Sequence, residues 1–372
     1  MFQHMFDPIQ IGNLTISNRF IRSATFDSGA DVYGKVTDQQ VQLFAELAKN
    51  QIGLIVSGIA SVHPSGRISP FQLDISHDGC IPGLQKIADA VHDQKGKGAV
   101  QLFHAGREGE KYQKHHGSQA LAPSYVSDDP YCACIGREMS EEEIREVIDA
   151  FGAAAGRVQR AGWDAVQVHA AHAYLISQFL SPHTNVRTDD WGGSLRNRFR
   201  FLKNIYVSIR RQVGPDYPVL IKLGVQDGFD HGLDFAEGWQ VASWCVALGF
   251  EAIEVSQGLR GAYYAQTEFR TGIGNGNDTA YFRHWTREIQ QAVQIPVIMV
   301  GGLRSIQDMS AYVSQGECEA VALCRPLIRE PDLVTSWKAG EDRPVACVSC
   351  NKCFEEIRKG HFVHCALIGN EK

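Results

Sequence analysis

Residues 164–182 hold the side chains best suited to chemistry: a short apolar run at 165–168, then His169, His172 and Tyr174 in quick succession. A strand that ends in two imidazoles and a phenol delivers hydrogen-bond donors and a proton donor to the mouth of a pocket. A single histidine is more often a satisfied structural residue. Three such groups bunched after one strand each need a partner if buried, and together they point to a site.

That chemistry needs elements to aim it. Apolar or alternating runs at 20–25, 53–57, 99–103, 165–169, 219–223, 252–256, 297–300 and 320–323 read as strands. Helical patterns fall between them at 38–49, 81–95, 140–161, 197–213, 235–248, 279–292 and 306–315. Strict alternation demands a parallel sheet with helical crossovers, and this many units over this length predicts a closed (β/α)8 TIM barrel rather than an open sheet. No glycine-rich dinucleotide fingerprint follows the first strand. Residues 8–19 alternate around Gly12-Asn13 and predict a hairpin that caps the bottom of the barrel. The barrel is expected over 1–338, with 339–372 a short Cys-rich extension packing on it.

Barrel chemistry sits at the carboxyl ends of the strands. Thr25, Gln101 with His104 and Arg107, His169 with His172 and Tyr174, Lys222, Gly301-Gly302 and Cys324-Arg325 all fall at or just beyond those ends. Glycines after strand seven and an arginine after strand eight match a barrel phosphate site, although the glycines alone read more readily as an ordinary turn. The loop at 256–277, with Tyr263, Tyr264, Arg270 and Thr271, would lie over the pocket, and its tyrosines could wall the substrate site.

Composition narrows the function classes. The chain has 372 residues, 44% hydrophobic, with a net charge of −6. Its pI is about 6.2. It has no long basic run, which argues against nucleic acid as a partner. With no leader pattern and no long apolar stretch, it is expected to be soluble and cytoplasmic, without a membrane partner. Ten cysteines in a chain of this size are expected to be reduced. Association into a homo-oligomer is left open.

Five segments then carry a family resemblance: N-R-F-I-R-S-A-T at 18–25, H-A-G-R at 104–107, H-A-A-H-A-Y-L at 169–175, Q-F-L-S-P-H-T-N-V-R-T-D-D-W-G-G-S-L-R-N-R-F-R at 178–200, and R-P-L-I-R-E-P-D-L at 325–333. Across essentially the whole barrel the chain resembles the old yellow enzyme family, and the segment 181–200 is the most specific. The surroundings of Ser23-Ala24-Thr25 and Cys324-Arg325-Pro326 look more like the branch with 2,4-dienoyl-CoA reductase and trimethylamine dehydrogenase. The resemblance implies an FMN-binding ene-reductase that takes hydride from NADH or NADPH and passes it to the β-carbon of an enone, enal or nitroalkene. It implies that His169 and His172 hold the substrate oxygen and that Tyr174 protonates the α-carbon. It places Ser23, Ala24, Thr25, Gly58, Gln101 and Lys222 around the flavin ring, and Gly301, Gly302, Cys324 and Arg325 around its phosphate. Cys324 departs from the glycine common at that position.

The tail complicates this reading. Cys347, Cys350, Cys353 and Cys365 form C-x-x-C-x-x-C followed by eleven residues and then a fourth cysteine. In the long relatives a similar set binds a [4Fe-4S] cluster that relays electrons to a second, dinucleotide-binding domain. Here the second gap is one residue short of that motif, and the sequence ends at Lys372, so the chain is expected to work without that domain. A cluster, a zinc ion and plain reduced cysteines all stay open, and Cys132 and Cys134 are assigned no role. The alternative functions are an amine dehydrogenase or demethylase, and a partner-dependent electron-transfer flavoprotein using the cluster. An RNA-modifying flavin barrel is disfavoured by the acidic charge and the His-His-Tyr set.

Overall fold

The computed structural model describes residues 2–274 and 279–368. Eight parallel strands pair in chain order: β1 (Phe20–Arg22), β2 (Leu54–Ser61), β3 (Gly98–Phe103), β4 (Ala165–Ala170), β5 (Val219–Gly224), β6 (Ala252–Ser256), β7 (Val297–Val300) and β8 (Ala320–Leu323). β8 pairs with β1, and β1 with β2, so the sheet closes on itself and leaves no edge between them. The crossovers are α1 (Asp38–Lys49), α2 (Ile81–Asp93), α3 (Glu141–Arg160), α4 (Leu195–Val213), α5 (Phe235–Leu248), α6 (Arg283–Ala292) and α7 (Ile306–Ser314). This is the (β/α)8 barrel that the alternation predicts.

Local signals explain where the helices begin. Ser140 and Glu143 form a reciprocal capping box at the start of α3, and the side chains of Thr37, Ser194, Asp234 and Ser305 each accept a backbone N–H at the starts of α1, α4, α5 and α7. α6 starts four residues later than the pattern at 279–292 suggests. Tyr281 and Phe282 instead lie at the strand mouths, with the Tyr281 N–H donating to the Gly301 carbonyl at 3.1 Å.

The predicted hairpin is present, with Ile9–Ile11 antiparallel to Leu14–Ile16. Its four apolar side chains are buried against the first residues of the barrel strands, among them Leu54, Ala99, Ala165 and Leu220. Burying each isoleucine there stabilises the closed end by roughly 1.5–3 kcal/mol. The hairpin therefore seals the amino end, and polar side chains gather at the other.

β2 runs to Ser61, longer than the sequence run suggests, and its register shifts between Val56 and Ile59. Gly58 sits at this irregularity, where an added Cβ would lie 2.9 Å from the Thr25 carbonyl oxygen. The glycine lets β2 pass close behind the turn that presents Thr25. Among the described residues, no helix is long and apolar enough to cross a membrane.

Candidate active site

One large cavity opens at the carboxyl ends of the strands, and Ser23, Ala24, Thr25, Gln101, His169, His172, Tyr174, Lys222, Gly301, Gly302, Cys324 and Arg325 all line it. Gly58 does not line it, because it packs behind Thr25. His104 and Arg107 also stand outside. His104 accepts the Gly106 N–H and bonds Ser65 at 2.9 Å, while Arg107 is paired with Asp129 at 2.6 Å. Proximity to a strand end placed them with the site in the sequence, but their side chains brace the loop after β3 instead.

The floor of the cavity is a buried polar network. Lys222 Nζ lies 3.0 Å from Glu254 Oε1 and donates to Ser23 Oγ at 2.8 Å, and the Ser23 hydroxyl donates to the same carboxylate at 2.6 Å. Glu254 also accepts from Gln167 Nε2 at 2.9 Å, and Gln167 accepts from Gln101 Nε2 at 2.7 Å. Glu254 and Gln167 are fully buried. This chain of bonds fixes the Gln101 amide so that its Oε1 is left as a buried acceptor with no partner among the described residues. A buried orphan acceptor that lines a cavity is a ready contact for a ligand N–H. Glu254 and Gln167 are absent from the sequence-based site. Their signal was a charged or amide side chain in the middle of an otherwise apolar strand.

The chain turns sharply after β4. His172 and Ala173 both adopt positive φ, 60° and 63°, and their N–H groups donate to the carbonyls of Gln257 and Gly258 at 3.0 Å each. Two consecutive non-glycine residues in the left-handed region are strained, and the loop after β6 holds them there. The turn brings the His169 ring to 4.9 Å from His172 and 5.0 Å from Tyr174. His169 Nδ1 accepts the Ala171 N–H at 3.3 Å, which leaves Nε2 as the N–H donor in the neutral ring.

Burial lowers the basicity of both His169 and His172, and neighbouring positive charge adds to the effect, so both rings are neutral at pH 7. Burial raises the Tyr174 phenol above its usual value, opposed by the adjacent Arg260, and it stays protonated. Arg260 covers the Tyr174 ring at 5.4 Å and is itself held by Glu268 at 2.7 Å and Glu108 at 3.0 Å. From the described part of the loop after β6, Arg260, Glu268 and Phe269 reach the cavity, as do Tyr281 and Phe282 just before α6. Tyr263 and Tyr264, expected to wall it, are exposed instead. Positions 275–277 of that loop lie outside the described residues.

At the far end of the cavity, Gly301 and Gly302 have φ of 99° and 74°, and a Cβ at either would strike the Tyr281 ring, at 2.5 and 2.8 Å. Cys324 accepts the Thr25 hydroxyl at 3.1 Å. Arg325 Nη1 donates to the Arg270 carbonyl at 2.8 Å and to Asn351 Oδ1 at 2.6 Å. The tail therefore contributes to the cavity itself: Ser349, Asn351, Cys353 and Phe354 line it. Cys347, Cys350, Cys353 and Cys365 line a second, smaller cavity that shares Arg325, Ile328, Asn351 and Cys353 with the first.

The buried histidines make acid stability testable. Burial, then the neighbouring His63, pushes His104 down to about 3. A histidine whose folded pKa lies below its unfolded value binds more protons when unfolded, so stability is present above about pH 6.5 and drains away below it, at roughly 1.4 kcal/mol per pH unit per group. Denaturant unfolding at pH 7 and pH 5, at fixed flavin content, is expected to show His104→Gln losing about 2 kcal/mol less than wild type over that interval. Equal losses would contradict a neutral buried His104.

The closed parallel barrel gathers a buried lysine, two imidazoles and a phenol at the carboxyl ends of its strands, where barrels place their chemistry. The chain belongs to the NADH:flavin oxidoreductase / NADH oxidase family, whose model matches residues 4–343. It is 32% identical to an NADH oxidase of Thermoanaerobacter brockii over 355 residues, 94% of this chain and 53% of that protein. It is also 32% identical to the NADPH dehydrogenase of Bacillus subtilis over 332 residues, 89% of this chain and 93% of that protein. The solved structure of a 2-naphthoyl-CoA reductase in complex with 2-naphthoyl-CoA matches with a TM-score of 0.89 at 30% identity, covering 100% of this chain and 58% of that one. The chain spans about half the length of several curated relatives it matches.

Proposed function

We propose that this chain is an FMN-dependent oxidoreductase that uses NADH or NADPH to reduce an activated alkene. The observation that carries the reading is the convergence, in one cavity, of two neutral imidazoles and a protonated phenol with a buried lysine and a glutamine oxygen that has no partner among the described residues. When bound, FMN would supply the hydride chemistry, accepting hydride from the nicotinamide and delivering it to the β-carbon.

The chain's own residues fit that cofactor. Gln101 Oε1 offers an acceptor to a pyrimidine-edge N–H, and Thr25, with Ser23 and Ala24, completes that wall. Lys222 supplies a fixed cation in a dry site, where it stabilises negative charge far better than it would in water. Arg325 and the Gly301-Gly302 turn are the phosphate contacts. The His169 Nε2–H and the His172 ring hold the substrate oxygen and draw electron density from the double bond. Tyr174 then gives its proton to the α-carbon, and Arg260 over its ring favours the phenolate left behind.

The phosphate assignment is tested by Arg325→Ala. Losing a charge-assisted phosphate contact costs about 2 kcal/mol, or roughly 30-fold in FMN affinity. Flavin fluorescence titration of the apoprotein measures it, and an unchanged Kd would remove Arg325 from the phosphate site.

A second reading, electron exchange with a partner through a [4Fe-4S] cluster, is favoured by the four tail cysteines around one cavity. A single tetrahedral ion with Zn–S bonds of about 2.3 Å needs its sulfurs about 3.8 Å apart. Among the described residues, no three of these four sulfurs lie within 4.8 Å of one another. Cys353 also borders the main cavity, so a cluster held by these cysteines would adjoin the site proposed for FMN.

A further inference from the structure

The loop after β3 carries a second cysteine pair that the proposed reaction does not use. Cys132 and Cys134 flank Ala133, and Glu108 stands beside them. One ligand atom from each of Glu108, Cys132 and Cys134 lies within 4.8 Å of the other two, the one such group of three among the described residues. We propose that these three side chains form a binding site for a thiophilic divalent cation of the zinc(II) class.

The loop is built to hold the two thiols together. On one side Asp129 is paired with Arg107 at 2.6 Å and His183 at 3.1 Å, and the Tyr131 ring stacks on Phe229 at 3.8 Å. On the other side the Ile135 N–H donates to Glu110 Oε2 at 3.1 Å. Between these anchors the Cys134 N–H donates to Cys132 Sγ at 3.3 Å, which folds the tripeptide so that both sulfurs sit together. The Cys132 thiol donates to Glu108 Oε1 at 3.0 Å. A tetrahedral ion asks for sulfur–oxygen separations of about 3.5 Å, so the existing cluster needs adjustments of less than about 1 Å at that contact.

Charge and access agree with the ligand set. Two thiolates and a carboxylate carry −3 and a divalent ion brings this to −1; Arg260, 3.0 Å from Glu108 Oε2 but shared with Glu268 at 2.7 Å, offsets part of the remainder. All three ligands are half-buried, which leaves a fourth position open to water. Binding forms two metal–sulfur bonds and one metal–oxygen bond, releases the two thiol protons to solvent, and changes no oxidation state. Because Glu108 also holds Arg260, which lines the main cavity over Tyr174, an ion here would tie the loop to that wall.

The test uses reduced holoenzyme handled without air, equilibrated with zinc in a chelator buffer, with zinc counted per chain. Cys132→Ser with Cys134→Ser is expected to bind one equivalent fewer than wild type, while Cys350→Ser in the tail keeps that equivalent. Glu108→Gln is expected to weaken the site at least tenfold. Equal stoichiometry and affinity in wild type and the double serine variant would overturn the proposal. Should that variant fail to fold, alkylation of Cys132 and Cys134 in wild type, located by peptide mapping, decides the matter. Protection by zinc of tenfold or more supports the site, and unchanged rates refute it.

Discussion

Tyr174→Phe is expected to leave reduction of the bound flavin by NADH or NADPH intact and to slow alkene reduction by a factor of about 10² to 10⁴. The phenol sits 5.0 Å from His169, centroid to centroid, in the wall that the two histidines share, and burial keeps it protonated at neutral pH. Removing one oxygen changes neither the ring packing against Phe103 at 4.4 Å nor the Arg260 contact over its face. The two half-reactions separate in stopped-flow traces: flavin bleaching by the nicotinamide, then recovery on adding an enone. An equal loss in both would mean that Tyr174 shapes the pocket rather than donating the proton, and an unchanged oxidative half-reaction would assign the donor elsewhere.

The second large effect concerns the floor of the cavity. Glu254→Leu removes the carboxylate that pairs with Lys222 and leaves that ammonium buried with Ser23 Oγ as its remaining partner among the contacts described above. It also strips Gln167 Nε2 of its acceptor. Breaking a buried pair from one side costs about 3–5 kcal/mol, because an uncompensated charge stays behind. Denaturant unfolding of the apoprotein measures this directly. Replacing both partners, Lys222→Met with Glu254→Leu, is expected to regain part of the loss, since the penalty belongs to the lone charge. A single variant as stable as wild type would show that the pair is not strongly coupled in the fold.

Much of this arrangement is legible in the sequence because it is periodic or local. The alternating runs specify eight strands, and the hairpin around Gly12 follows from its own pattern. His169, His172 and Tyr174 could be read together because one turn places them together. The rest depends on partners distant along the chain. Arg260 meets Glu108 across 152 positions, so neither announces the other, and the tyrosines at 263 and 264 drew attention that belonged to Arg260 and Glu268. Asn351 meets Arg325 only because the tail folds back over the barrel mouth. His104 shows the converse: a histidine just past a strand end whose ring faces Ser65 rather than the cavity.

The relatives of about twice this length give the tail particular weight. A cluster held by the tail cysteines would lie beside Arg325 and Asn351, which also line the main cavity.

The most direct test of the central claim is the absorbance spectrum of protein purified without air, with iron and zinc assayed on the same sample. The account predicts flavin bands that bleach on adding NADH or NADPH. A broad iron–sulfur shoulder with several irons per chain would add the cluster. A protein that neither carries FMN nor binds it on reconstitution would contradict the account at its root.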